Sequence, residues 1–173
     1  VQLTADTGVF SRDAVDPGTR LLLVEGPPVP AEGNLLDLGC GYGPIAVTLA
    51  HRAPRATVWA VDVNCRALAL AAANAEAAGC TNVATVAPDD VPEDVRFAAI
   101  WSNPPIRIGK EALHALLLRW LPRLQPGGRA VLVVQKHLGA DSLVRWLEAA
   151  GHPTERLRSR MGYRLLSVEG GDR

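Results

Sequence analysis

Asn103-Pro104-Pro105, directly after the apolar run Phe97 to Trp101, carries the most specific chemistry in this sequence. Pro104 fixes its own φ and keeps Asn103 out of the helical region, and Pro105 does the same to Pro104. The result is a stiff, extended turn presenting two acceptors, the Asn103 side-chain oxygen and the Pro104 carbonyl. Two such acceptors can grip both hydrogens of a planar NH2 group. An amine conjugated to a base or an amide has a delocalised lone pair and attacks a methyl group poorly. Acceptors on its hydrogens favour a pyramidal nitrogen and stabilise the positive charge that grows there. In-line placement supplies most of the remaining acceleration, so a site without an obvious His or Glu base suffices.

A second group of residues points to what would stand opposite that amine. In Leu35-Leu-Asp-Leu-Gly-Cys-Gly-Tyr-Gly-Pro44, Gly39, Gly41 and Gly43 let the chain turn sharply and approach a ligand closely. The dinucleotide fingerprint places its last glycine one residue later, and a phosphate would be repelled by Asp37. The loop therefore suits a ligand that carries a positive group. Asp62, followed by Val63, ends the next apolar run and can accept both hydroxyls of a ribose, as in nicotinamide and S-adenosylmethionine enzymes alike. Asp89 follows a third run, where an acid can accept from an adenine amine.

The surrounding pattern predicts the elements that hold these residues. Asp16-Pro17 reads as the N-cap and first residue of a helix to about Glu25, stopped by Pro27, Pro28 and Pro30. Strands are expected at Asn34–Leu38, Thr57–Val61, Val83–Val86, Phe97–Trp101 and Ala130–Gln135, the last entered through a turn at Gly127-Gly128. Helices are expected from Pro44 to Ala53, from an Asn64 cap to Gly79, across Leu113–Leu121 and from about Ala140 to Ala150. A hairpin around Met161-Gly162 closes the pattern. Alternating strands and helices imply right-handed crossovers and a parallel sheet covered on both faces, with ligands beyond the carboxyl ends of the strands. The expected fold class is therefore α/β, a doubly wound, mostly parallel sheet.

Taken together, DLGCGYG, the ribose acid Asp62, Asp89 and NPP after the fourth strand resemble the class I S-adenosylmethionine-dependent methyltransferases across residues 34 to 135. The resemblance implies a Rossmann-like, seven-stranded sheet with its last strand antiparallel, and S-adenosylmethionine as cofactor. It implies donor contacts at Asp37, Gly39, Gly41, Gly43, Asp62, Val63, Asp89 and Asn103, and a catalytic turn of Asn103, Pro104, Pro105 and Ile106. NPPIRIGKE, with ADTGVFSRDAVDPGTRLLL upstream and MGYRLLSVE at the end, narrows it to the small-subunit ribosomal RNA guanine-N2 methyltransferases and their compact single-domain relatives. In that group the GVFS segment folds over the donor, which implies Gly8, Val9 and Phe10 as further contacts. Residues 1–30 would then cover the cofactor site and residues 31–173 form the methyltransferase domain, a single domain overall. Many amino-methyltransferases carry an aromatic residue after NPP; here Ile106 offers apolar contact alone. Longer members also carry a second, methyltransferase-like domain ahead of this one.

Composition agrees with a packed globular chain: 173 residues, 48% hydrophobic and no net charge. No apolar run is long enough to span a membrane. The opening at Val1 suggests further residues upstream. Cys40, Cys65 and Cys80 form no CxxC, which fits a reduced cytoplasmic compartment, and the four histidines show no metal-ligand spacing. Charge is uneven, with 6 Arg and no Lys against 12 acids in residues 1–100 and 12 Arg and Lys against 6 acids in residues 101–173. A basic half fits RNA, ribosomal RNA or the small subunit being the expected partner. Arg107, Lys110 and Lys136 are the candidate contacts at the ligand edge, while Arg156, Arg158 and Arg160 alternate as if on one strand face. Two other functions remain open at this point. One is methylation of a protein glutamine amide, and the other is a non-catalytic domain that docks on RNA or on a partner.

Overall fold

A computed structural model describes residues 3–5 and 15–170 of the chain. Five strands run parallel to one another: β1 (Glu32–Leu38), β2 (Arg55–Val61), β3 (Val83–Val86), β4 (Phe97–Ser102) and β5 (Leu124–Gln135). The hairpin of β6 (Thr154–Arg160) and β7 (Tyr163–Glu169) completes the sheet in the order β3-β2-β1-β4-β5-β7-β6. β7 is antiparallel to both of its neighbours, so it alone runs against the rest. Chain order reverses between β1 and β4, and the crevice beyond their carboxyl ends is where such a sheet takes ligands. The expected architecture, including the reversed last strand, is the one found.

Two layers of helices bury the two faces. α1 (Pro17–Glu25), α2 (Pro44–Arg52) and α3 (Cys65–Ala77) cover one, where Leu22, Leu35, Leu49, Val58, Trp101 and Leu165 are fully buried. α4 (Lys110–Trp120) and α5 (Ala140–Ala149) cover the other over Leu36, Ile100, Leu117, Trp120 and Leu132. α1 starts as expected: Asp16 caps it by accepting from Thr19 N–H at 3.0 Å, and Pro17 takes the first position. Gly18 lets this helix lie against β7, because a Cβ there would stand 2.7 Å from the Tyr163 ring.

Two expectations are corrected. β5 begins at Leu124 rather than Ala130, since Leu124 pairs with Phe97 and Arg129 with Ala99, leaving the Gly127-Gly128 stretch as a bulge within the strand. Arg156, Arg158 and Arg160 do not share a face. A bulge in β6 sets Arg156 opposite Leu166 and Arg158 opposite Leu165, and adjacent residues of β7 face opposite ways. Arg156 therefore pairs with Asp141 on α5, whereas Arg158 and Arg160 both pair with Glu25 at the end of α1. These arginines tie the hairpin to helices on both sides of the sheet.

Asn74, buried in the middle of α3, sews the start of the chain to the glycine loop. Its oxygen accepts from Thr4 N–H at 2.7 Å, and its amide donates at 2.8 Å to the carbonyls of Thr4 and Tyr42. Leu3 and Ala5 pack beside Tyr42 and Ala67 in the same place. Asn74→Ala removes all three bonds and strands their backbone partners, a loss of about 2–3 kcal/mol. The thermal midpoint is expected to fall by roughly 5 to 10 °C, read by calorimetry.

Candidate active site

Every candidate acid and the Asn-Pro-Pro turn stand at the carboxyl edge of the sheet. Asp37 lies within β1, beside Trp101 of β4, and is fully buried. Its Oδ2 accepts from Ala46 N–H in the first turn of α2 at 2.9 Å, supplying the cap that Gly43 has no side chain to give. Oδ1 has no partner. Burial above all, with the charge of Asp62 adding to it and the Ala46 bond opposing, pushes the carboxyl up to about 8. A buried carboxylate oxygen left unpaired is costly, and a cation placed against it would remove that cost.

Gly43 must be glycine on two counts. Its φ is +93°, and a Cβ would meet Ala71 of α3 at 3.1 Å. Asp62, at the end of β2, braces the loop: Oδ2 accepts from Gly41 N–H and Oδ1 from Asn64 N–H, both at 2.9 Å. Each oxygen keeps a lone pair for a hydroxyl. Val63 stands next to it with 88% of its surface exposed, an apolar face beside a polar hook. Cys40 is buried in the loop, where desolvation and then the charges of Asp37 and Asp62 hold its thiol protonated. It is no thiolate nucleophile.

Asn103 follows β4, two residues beyond Trp101, the register partner of Asp37, and its amide is clamped. Nδ2 donates to Asp16 Oδ2 at 2.7 Å and to Thr19 Oγ at 3.0 Å. An ionised carboxylate only accepts, so the amide nitrogen must face Asp16, and the carbonyl Oδ1 is left for a ligand. Ser102 pins the end of β4 by donating to the Leu38 carbonyl at 2.7 Å. Pro105, at φ −73° and ψ 79°, is the centre of an inverse γ-turn in which Ile106 N–H donates to the Pro104 carbonyl at 2.8 Å. The Pro104 oxygen is thus already half used, and Asn103 Oδ1 is the stronger acceptor of the two.

Asp89 is drawn away from the crevice. Its side chain is 90% exposed and paired with Arg119 at 2.8 Å, so an adenine amine would have to share it. Gly8, Val9 and Phe10 lie outside the described residues. Arg107, Lys110 and Lys136 are exposed near the turn and make no ion pair among the described residues. Asp16, Thr19 and Asn74 were not anticipated as parts of the site. Asp16 had a visible signal as a helix cap, but nothing local tied it to Asn103.

The orphaned Asp37 oxygen, the hydroxyl-ready Asp62 and the exposed Val63 match a ligand with a cationic centre, a ribose and a flat apolar ring. The model of the methyltransferase small domain matches residues 1–167. The chain belongs to the methyltransferase small-domain family. The uncharacterized protein YbxB of Bacillus subtilis is 38% identical over 169 residues, which is 96% of this chain and 84% of that one. Ribosomal RNA small subunit methyltransferase C of Hahella chejuensis is 38% identical over 154 residues, 86% of this chain and 44% of its own. The 16S rRNA N2 G1207 methyltransferase of T. thermophilus, solved with AdoMet and guanosine, superposes at TM-score 0.75 with 27% identity, covering 94% of this chain and 45% of that one. This methyltransferase small domain thus spans less than half the length of those ribosomal RNA enzymes. A precorrin-6y C5,15-methyltransferase from Geobacter metallireducens reaches the same TM-score, 0.75, at 14% identity and shares the fold alone.

The domain is of the S-adenosylmethionine-dependent class, and its crevice residues fit that donor. For Asp62→Ala, donor affinity is expected to fall about tenfold or more in calorimetric titration. Turnover at saturating donor should change far less.

Proposed function

We propose that this domain methylates the exocyclic N2 amine of a guanine in ribosomal RNA. The observation that carries the reading is the clamped Asn103 amide, which leaves its carbonyl oxygen without a partner among the described residues, just beyond the carboxyl end of β4. S-adenosylmethionine, when bound, supplies an electrophilic methyl group on a sulfonium. Asn103 Oδ1 and the second lone pair of the Pro104 carbonyl accept from the two amine hydrogens. Asn103 is held fixed by Asp16 and Thr19, so no reorganisation is needed as charge grows on the nitrogen. Asp37 balances positive charge at the glycine loop, and Asp62 and Val63 hold the nucleoside part of the donor. The amine loses its proton after transfer, when the nitrogen is a strong acid.

The likeness to enzymes named for ribosomal RNA and for N2 of a guanine supports the choice of amine. Arg107 and Lys110 just after the turn and Lys136 after β5, none of them in an ion pair among the described residues, support a polyanionic acceptor. A ribosomal substrate places the protein in the cytoplasm, and no helix among the described residues is long and apolar enough to cross a membrane. A purely binding role is disfavoured by Asp37, since a domain with no donor gains nothing from an unpaired buried acid.

The test is transfer of labelled methyl from S-adenosylmethionine to unmodified 16S ribosomal RNA, 30S particles and soluble protein, followed by nucleoside analysis. Label in N2-methylguanosine is the expected result. Label confined to a glutamine amide of protein would replace the RNA substrate while keeping the turn's role. No transfer with intact donor binding would leave a binding domain.

A further inference from the structure

A groove of about 180 Å³ opens between the turn that follows Asn-Pro-Pro and the start of α5. Its apolar lining is Ile106, Leu113, Leu138 and Leu143, and among the described residues Arg107 and Lys110 are the only Lys, Arg, Asp or Glu on it. Neither cation has a hydrogen-bond or ion-pair partner among the described residues. The acids nearest in sequence stay out of it: Glu111 does not line it, and Asp141 is held by Arg156 and Arg164. Leu138 is a large apolar side chain left 45% exposed there.

Gly109 and Gly139, which precede α4 and α5, also line it, and neither helix has a side-chain cap. The positive ends of the two helix dipoles therefore lie beside the two cations. Ile106 lines the groove and is also the first residue after Asn-Pro-Pro, so whatever occupies the groove is one step along from the reacting amine.

We propose that this groove seats the nucleotide adjacent to the target guanine in an RNA strand. Its base lies on Ile106, Leu113, Leu138 and Leu143, and its phosphate meets Arg107, Lys110 and the open helix ends. The inference rests on the RNA reading above. It accounts for how a turn with Ile106, which offers the target base no aromatic ring, gains grip on its substrate. Charge decides the occupant: an apolar slot rimmed by unpaired cations matches a base with its phosphate, and a neutral glutamine-bearing loop would leave both cations uncompensated.

The test uses Arg107→Ala/Lys110→Ala and, separately, Leu138→Glu, in the full chain with unmodified 16S ribosomal RNA. Both are expected to raise KM for RNA at least tenfold, with the loss falling on KM and not on kcat, while donor affinity by calorimetry stays that of the wild type. The double variant should also flatten the plot of log binding constant against log salt by about 0.7, the value for one single-strand phosphate. Equal KM and equal salt slope in wild type and variants, with RNA still methylated, would overturn the groove and leave the proposed function standing. A wild type that methylates only protein would remove both, and a raised KM for that protein in Leu138→Glu would make the groove a peptide site.

Discussion

Asn103→Ala is expected to lower kcat by about a hundredfold or more while leaving donor affinity within a few fold, the scale of removing one preorganised acceptor from a developing charge. Single-turnover transfer to RNA and calorimetric donor titration read the two quantities separately. Equal loss in both would make Asn103 a structural residue. Asp16 sharpens the test. One of its oxygens, Oδ2, accepts from Thr19 N–H and from Asn103 Nδ2 together. Asp16→Ala should reproduce part of the kcat loss, about tenfold, because Oδ1 of Asn103 is then free to swing. Asp16→Asn keeps an acceptor oxygen for both donors and should recover most of it. A residue that only capped α1 would lower the melting temperature in Asp16→Ala, keep it near that of the wild type in Asp16→Asn, and leave kcat alone in both.

Asp37→Asn is expected to weaken donor binding about a hundredfold or more, the consequence of removing one partner of a buried charge pair. The same residue sets a pH signature. In the free protein its carboxyl is pushed from 3.8 up to about 8, chiefly by burial. A donor cation needs the ionised form, so binding must expel a proton below that value. Donor affinity should therefore rise close to tenfold per pH unit from about 6 towards 8 and level off above it. Asp37→Asn should flatten that dependence. Stability of the free protein runs the other way: the folded state keeps a proton that the unfolded chain releases, so stability falls as pH climbs from about 4 to about 8. At pH 9 the Asn variant should melt above the wild type, and a lower melting point there would refute the unpaired acid.

What could be read from sequence was local. The glycine loop, the Asn64 cap, Pro at the start of α1 and α2 and the Met161-Gly162 turn each depend on residues within one turn of one another. Alternation of apolar runs with helical spacing then fixes a doubly wound sheet. The clamp on Asn103 was illegible because Asp16 lies 87 residues away, and only the packing of α1 over the crevice brings them together. Asn74 looked like one polar residue in an alanine-rich helix, although it reaches 70 residues back to Thr4. The faces of Arg156 and Arg158 were misassigned because a single extra residue in β6 reverses the alternation, and only pairing with β7 reveals it. Pro104's carbonyl was expected to be free, and the γ-turn that occupies half of it depends on the ψ of Pro105, which proline's ring does not fix.

The reversed strand has a consequence for how the chain is made. β7 lies between β5 and β6, so an interior position of the sheet is filled by residues synthesised after every other strand. As the nascent chain leaves the ribosome, β5 emerges with β4 on one side and a bare apolar edge on the other. That edge is a template for pairing with another chain until the hairpin arrives. A chain released at Gly151 is expected to aggregate on synthesis, and co-expressing residues 152–173 as a separate peptide should return part of it to the soluble fraction.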